Sequence, residues 1–296
     1  MIINRPEYLY QPAFIFKRIM KAFSKKALAK TLDYQLFKIK FFEITANKND
    51  IIGKALSTYG IYDLILTEIL YRIVESGDKC IDVGANIGYT TGIMSYRSGI
   101  NGKIYSLEPS STIYSILTNN VVGFQKSFGF NNIELIKIGV SDHVGVASFF
   151  INSNNSGESK ILSSFENDHQ DKETSIEEIQ ITTLDEVLSK EKPFKVLKID
   201  VEGHELEVLK GSTNLLKSKS ILNIVFENHE KGESPIIPFL KEYGYDIFLL
   251  KKGLLGPKID PELGSHSSKF EPANYIATLN KSYLSSQLKG FGYLTI

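Results

Sequence analysis

From about residue 60 onward the chain alternates short apolar runs with longer amphipathic ones. The short runs lie at 80–84 (CIDVG), 103–108 (KIYSLE), 133–139 (IELIKIG), 195–201 (KVLKIDV), 221–227 (ILNIVFE), 245–251 (YDIFLLK) and 274–279 (NYIATL). Between most of them lie ten or more residues with helical spacing, a pattern that predicts a mainly parallel sheet covered on both faces. Residues 61–75, "IYDLILTEILYRIVE", have helical apolar spacing and are stopped by Ser76, Gly77 and Asp78. Upstream, Phe16, Ile19, Met20, Phe23 and Ala27 recur at helical spacing with lysines between them. The pattern therefore divides the chain into an N-terminal helical extension over residues 1–55 and one α/β domain over residues 56–296. Residues 151–178 break the rhythm: they are polar, rich in Ser, Asn and Glu, and without period, as expected of a lid-like loop.

Composition narrows the classes. The chain has 296 residues, 42% of them hydrophobic, enough for a full core in one large domain. Lys and Arg number 34 and Asp and Glu 34, which excludes the global basic field that non-specific nucleic-acid binding needs. The exception is local, because basic residues outnumber acids over residues 1–50. That helix is expected to pack on the main domain or on a second copy in a homodimer, with peripheral contact to an anionic membrane or lipid-linked substrate as the alternative. The single cysteine, Cys80, sits inside an apolar strand and reads as a core residue. With no apolar leader in the first thirty residues and no run near the roughly 20 residues of a membrane span, the expectation is a soluble, cytoplasmic protein.

The chemistry gathers at strand ends. "KCIDVGANIGYTTG" reads as a strand that ends in an acid, turns through small residues and opens a helix. In a doubly wound sheet this first turn makes the closest backbone approach to a ligand. A pyrophosphate would favour G-x-G-x-x-G. Here the turn is G-A-N-I-G, preceded by Asp82, and a carboxylate suits a ligand with an ammonium or a sulfonium, such as S-adenosylmethionine. A nicotinamide dehydrogenase is disfavoured on the same ground. Glu108, at the end of the second strand, is placed to accept ribose hydroxyls, and Asp142, after the third, to accept from an adenine amino group.

The runs "DVGANIGYTT", "YSLEP", "GVSD" and "ITTLDEVL", and above all "LKIDVEGHELEVLKG" followed by "NIVFENHE", resemble the FkbM family of S-adenosylmethionine-dependent O-methyltransferases. The resemblance covers about residues 78–230 and leaves out residues 1–55 and the polar loop. It implies the class I methyltransferase (Rossmann-like) fold, an α/β fold with a seven-stranded, mostly parallel sheet whose last strand is antiparallel. By the same resemblance Asp82 and the turn residues Gly84, Ala85, Asn86 and Gly88 hold the methionine end of the cofactor, Glu108 the ribose and Asp142 the adenine. The implied reaction is O-methylation, with a sugar hydroxyl on a small molecule or glycan as acceptor. A lipid or polyketide-type hydroxyl is the alternative, and a non-catalytic cofactor-binding module the third reading.

An alcohol is a weak nucleophile while protonated, so the site needs a base or a metal. Asp200 closes the fourth strand, with Glu202 and His204 just behind it. Glu227, Asn228 and His229 close the fifth. One arrangement makes His229, or else His204, the base, oriented by Asp200, Glu202 or Glu227. The other gives Mg²⁺ its oxygen ligands from Asp200, Glu227 and Asn228, a pattern that resembles catechol-type O-methyltransferases. His143, His169 and His266 lie in loop-like stretches and read as solvated.

Overall fold

The computed structural model describes residues 10, 33–152, 159–161, 174–228, 234–263 and 273–296. It begins with an antiparallel hairpin, β1 (Tyr34–Lys38) and β2 (Glu43–Asn47). Residues 34–47 are thus strands, which corrects the expectation of a wholly helical extension over residues 1–55. The reason is tertiary. Phe42 packs against Phe124 with ring centroids 4.6 Å apart, and the Asn120 side chain accepts from the Thr45 amide at 2.8 Å while donating to the Thr45 and Ile87 carbonyls at 2.9 and 2.8 Å. The amphipathic stretch over residues 16–27 lies outside the described residues.

Two helices follow, α1 (Ile51–Tyr59) and α2 (Leu64–Ile73), capped by Asp50 and Asp63, whose carboxylates accept from first-turn amides. Strand and helix then alternate as β3 (Lys79–Val83), α3 (Tyr89–Ser98), β4 (Lys103–Leu107), α4 (Ser111–Phe128) and β5 (Ile133–Ile136). An insertion comes next: β6 (Gly139–Val140), β7 (Gly145–Asn152), β8 (Lys160–Ile161) and β9 (Thr174–Thr182) form a separate sheet in the order β6-β9-β7-β8. Residues 151–152 and 174–178, expected to be loop, are therefore the ends of an antiparallel ladder that pairs Asn152 with Thr174. Residues 153–158 and 162–173 lie outside the described residues.

The chain returns to the main sheet through α5 (Leu184–Leu188), β10 (Phe194–Ile199), α6 (Glu205–Lys210), α7 (Thr213–Lys217), β11 (Ile221–Asn228) and α8 (Ile236–Glu242). It finishes with β12 (Asp246–Gly253), β13 (Gly256–Asp260), β14 (Ala273–Thr278) and α9 (Lys281–Gln287). The main sheet has the order β13-β12-β14-β11-β10-β3-β4-β5. Strands β5, β4, β3, β10 and β11 run parallel, while β14 is antiparallel to both neighbours. All seven expected strands are present, and the last in sequence is the antiparallel one. The sheet has 8 strands rather than seven, because β13 adds an antiparallel edge. Its Gly256 and Pro257 read as a turn, and an edge is where a strand tolerates proline.

Alternate side chains of the central strands enter opposite layers. Cys80, Ile104 and Val196 join the cluster under α2 and α3, whereas Ile81, Tyr105 and Leu197 join the one under α6 to α8. Burial raises the Cys80 thiol far above its ordinary range, as fits an inert core residue. No helix among the described residues is long and apolar enough to cross a membrane.

The C-terminal residues are clasped by a buried pair on α2. Arg72 Nε donates to Glu68 at 2.6 Å and its Nη2 to the Gly292 carbonyl at 3.0 Å. Glu68 also accepts from the amides of Leu294 and Thr295 at 2.9 and 3.0 Å. Glu68→Ala strands the Arg72 guanidinium and frees these amides, so we expect a loss of about 3–5 kcal/mol in urea denaturation and faster amide exchange over residues 289–296. A loss under about 1 kcal/mol, in the range of an exposed pair, would show that the clasp is ornamental.

Candidate functional site

The order of the main sheet reverses direction at β3: β4 lies on one side and β10, a later strand, on the other. Ligands of open α/β sheets sit beyond the carboxyl ends of the strands at such a point. A cleft that opens to solvent lies there, about 890 Å³ with its open mouth included. Gly84, Ala85 and Asn86 form its floor, Glu108 and Pro109 one flank, and Asp200, Val201 and Glu202 the other.

The floor depends on close approach. A Cβ on Gly84, where φ is +71°, would meet the Asp200 carbonyl oxygen at 1.9 Å. No other residue fits, since the position demands both a left-handed backbone and no side chain. Asn86 and Glu202 also hold left-handed φ values of 50° and 53°, a conformation uncommon outside glycine and typical of binding sites.

Beneath the floor lies a buried ion pair that the sequence reading missed. Lys198 of β10 is the register partner of Asp82 of β3. Its Nζ stands 3.1 Å from Asp82 Oδ1, 3.6 Å from Asp200 Oδ2 and 2.8 Å from the Gly84 carbonyl oxygen. Burial alone would lower the lysine's pKa, but the charges of Asp82, Asp200 and Glu108 outweigh it and raise it. Asp82 accepts further from Thr90 and Thr91 hydroxyls at 2.8 and 2.6 Å. Asp82 is fully buried and does not line the cleft. The ammonium it meets is the chain's own, that of Lys198, and Asp82 was expected to hold the cofactor's methionine end.

Glu108 does face the cleft. Its carboxyl accepts from the Asn86 amide at 3.0 Å and the Ser110 amide at 3.1 Å. Burial pushes its pKa up to about 7, against the lowering effect of those two amides and of Lys198. Asn86 Oδ1 is buried and has no hydrogen-bond partner. An amide oxygen left without a donor on the floor of a cleft fits the amino group of an amino-acid ligand.

The second cluster stands at the mouth. Asp200, Glu202 and Glu227 each bring a carboxylate oxygen within 4.8 Å of the others. Burial first, then the charges of Asp200 and Glu202, hold the Glu227 carboxyl well above the usual range. Glu227 is the register partner of Asn274, whose side-chain amide donates to Asp63 at 3.1 Å. Tyr62, in the cleft wall, is pushed up by burial and then by Asp200, Asp63, Glu227 and Glu202, so its hydroxyl keeps its proton beside these acids.

Several expected residues stand elsewhere. Asp142 is not part of the cleft lining; its side chain is 40% exposed and pairs with His143 Nδ1 at 2.6 Å. His204 is also outside the lining: its Nε2 lies 2.9 Å from the Ser141 hydroxyl, and burial lowers its pKa. Asn228 is buried at the end of β11, and the third acid of the mouth is Glu202 instead. His229, His169 and His266 lie outside the described residues. A signal for Glu202 was present in the sequence, since the glycine after it in "DVEGH" marks a left-handed turn that aims the preceding side chain back toward Asp200. Lys198 was visible too, as a lysine inside an otherwise apolar strand.

Asp82→Asn removes the main counter-charge of a buried lysine. The expected outcome is a loss of about 3–5 kcal/mol in chemical denaturation, larger than any effect confined to ligand binding. Wild-type stability with weakened ligand binding would return Asp82 to the role of a direct ligand.

The chain is similar in sequence to known methyltransferases. The chain is 28% identical over 216 residues to methyltransferase sdnD of Sordaria araneosa, covering 63% of this chain and 82% of that one. It is 31% identical over 170 residues to the hexuronic acid methyltransferase AglP of Haloferax volcanii, covering 56% of this chain and 62% of AglP. Among solved structures, a methyltransferase FkbM from Methylobacillus flagellatus superposes with a TM-score of 0.45 at 14% identity, covering 70% of this chain and 47% of that one. The model of the Methyltransferase FkbM domain matches residues 82–247, which holds the floor, both flanks and the acids of the mouth. The protein belongs to the FkbM methyltransferase family, whose methyl donor is S-adenosylmethionine.

Proposed function

We propose that the protein transfers the methyl group to a hydroxyl of a carbohydrate, in a nucleotide sugar, a glycan or a glycolipid precursor. The observation that carries this reading is the convergence of Asp200, Glu202 and Glu227 beside the donor cleft. Carboxylates only accept hydrogen bonds when ionised, so a wall of them suits an acceptor that presents several hydroxyl donors. The name of AglP, a hexuronic acid methyltransferase, supports a sugar acceptor.

Bound in the cleft, S-adenosylmethionine supplies an electrophilic methyl on a sulfonium. The chain's own residues do the rest. Glu108 accepts from the ribose hydroxyls, Asn86 Oδ1 accepts from the amino group, and Asp200 lends negative charge to the cationic end. Asp200 and Glu202 would hold the acceptor hydroxyl and take up its proton as its oxygen displaces sulfur at the methyl carbon, the carbon–sulfur bond breaking to release S-adenosylhomocysteine. Holding that oxygen in line supplies most of the acceleration, and proton removal adds about 10²–10⁴-fold. Because the three carboxylates also offer the oxygen ligands that Mg²⁺ prefers, the same cluster serves as a cation site in the metal-assisted form of the reading.

The test is transfer of an isotopically labelled methyl to a panel of neutral, amino and uronic sugars, free and nucleotide-linked, with and without EDTA and Mg²⁺. Asp200→Asn should lower turnover about 100-fold or more while S-adenosylhomocysteine still binds. Full turnover in that variant would remove the cluster from the chemistry. Loss of transfer with EDTA and its return with Mg²⁺ would assign the metal-assisted form; indifference to EDTA would assign the metal-free one.

Glu108 sets the pH dependence of donor binding. Its carboxyl titrates near 7 in the free protein, and hydroxyl donors favour the ionised form. Below that value binding must first release the proton, so affinity for S-adenosylhomocysteine should fall about tenfold per pH unit and level off above it. Calorimetry from pH 5.5 to 8.5 reads this directly, and Glu108→Gln should flatten the profile. An unchanged slope in Glu108→Gln would place the titrating group elsewhere.

A further inference from the structure

With Asp142 facing away, the purine end of the donor cleft has no assigned wall. The lining there comes from two sources. Ile113 and Ile138 belong to the main sheet and its helix, whereas Phe149 of β7, Ser159 and Ile161 of β8 come from the inserted sheet. We propose that the inserted sheet is the outer wall of the donor site, with Phe149 and Ile161 against the purine ring, and that Glu177 of β9 latches this wall to the start of α4.

The cleft's own polarity fixes the orientation. The sheet order β10-β3-β4-β5 sets Asp200 and Glu202, which follow β10, on one side of β3, Glu108, which follows β4, on the other, and Ile138, which follows β5, farther still, so Glu108 stands between the acids that attract the ammonium and sulfonium and the apolar lining. A ribose on Glu108 therefore directs the base away from the acids, into the slot between Ile113 and Phe149. Apolar walls suit a flat ring whose polar atoms lie at its edge, and the buried Ser159 among them accepts from the Asn152 amide at 3.2 Å. Phe149 shares one face of the inserted sheet with Ile179, Ala147 and Ile151, which pack in one cluster with it, so its ring is held in place before a ligand arrives.

The latch is a separate observation. Glu177 accepts from the Ser111 amide at 3.2 and 3.1 Å through its two oxygens, and from the Ser111 hydroxyl. Lys137 Nζ donates to the same hydroxyl at 2.6 Å. Ser111 opens α4 three residues after Glu108, so one contact ties the inserted sheet to the segment that carries the ribose-binding acid. A carboxylate at a helix N-terminus is favoured by the dipole, and the contact is exposed, so it can open and close.

The experiment is S-adenosylhomocysteine binding to the full chain by calorimetry and stopped flow, with no acceptor present, so that its outcome is independent of the acceptor reading. Phe149→Ala should raise Kd about tenfold, as loss of an aromatic surface against a base does. Ile161→Ala should raise it several-fold, and Val146→Ala, on the exposed face of the same strand, should leave it unchanged. Glu177→Gln should speed dissociation several-fold. If Phe149→Ala fails to fold, Ile161→Ala carries the test. Wild-type Kd in the folded variants of Phe149 and Ile161 would overturn the proposal, as would a Val146→Ala effect as large as theirs.

Discussion

The ion pair between Lys198 and Asp82 is the constraint on which the site depends. Each charge taken from water costs several kcal/mol, and their attraction offsets this only when the remaining donors and acceptors are also satisfied. Here they are shared out with little left over. Asp82 takes two threonine hydroxyls beside the lysine, and the lysine takes the Gly84 carbonyl and stands within reach of Asp200. One buried cation thereby fixes the ends of β3 and β10 relative to each other. The contact between Gly84 and the Asp200 carbonyl is its geometric counterpart, since only a glycine lets the two strand ends come so close. The left-handed Asn86 and Glu202 follow from the same crowding.

From this anchoring the cleft acquires its polarity. Asp200, Glu202 and Glu227 lie at the ends of β10 and β11, Glu108 lies across β3 at the end of β4, and Ile138 of the apolar lining follows β5. A ligand that is cationic at one end and aromatic at the other has one orientation available. Glu227 shows how dense the acidic side is, for burial and then the charges of Asp200 and Glu202 hold its carboxyl well above the usual range. A positively charged ligand or cation at the mouth relieves that repulsion, and an anionic one adds to it.

How much of this was legible depends on the kind of signal. The seven strands were visible because most are buried on both faces and leave a mainly apolar run, as "CIDVG" and "ILNIVFE" do. The hairpin of β1 and β2 was not, because "YQLFK" and "EITAN" are short and are held by Asn120 and Phe124, some eighty residues away. The inserted sheet was hidden by composition: β9 in "TSIEEIQIT" has one buried face and one solvated face, and its acids look like loop. The floor of the site, from Gly84 to Asn86 with Glu108, could be read from the order of strand ends. The role of Asp82 could not, because a carboxylate beside a turn looks the same whether its partner is a ligand or a lysine on the next strand.

The acids of the mouth illustrate what a scaffold must do to keep such a site. Three carboxylates within 4.8 Å of one another, two left-handed side-chain-bearing residues and a buried lysine are each unfavourable taken alone. They persist only where the surroundings leave no cheaper arrangement. The surroundings here are the central parallel strands, packed on both faces, with the hairpin bound to α4 and the C-terminal residues bound to α2. Side chains that touch no ligand, such as Asn120 and Glu68, contribute by denying the strand ends freedom to spread apart. The inserted sheet keeps a small apolar cluster of its own and meets the start of α4 through exposed polar contacts. The two sides of the cleft thus differ in what fixes them: the strand ends are held by the buried ion pair and by both core layers, the inserted sheet by its own cluster and by the contact of Glu177 with Ser111.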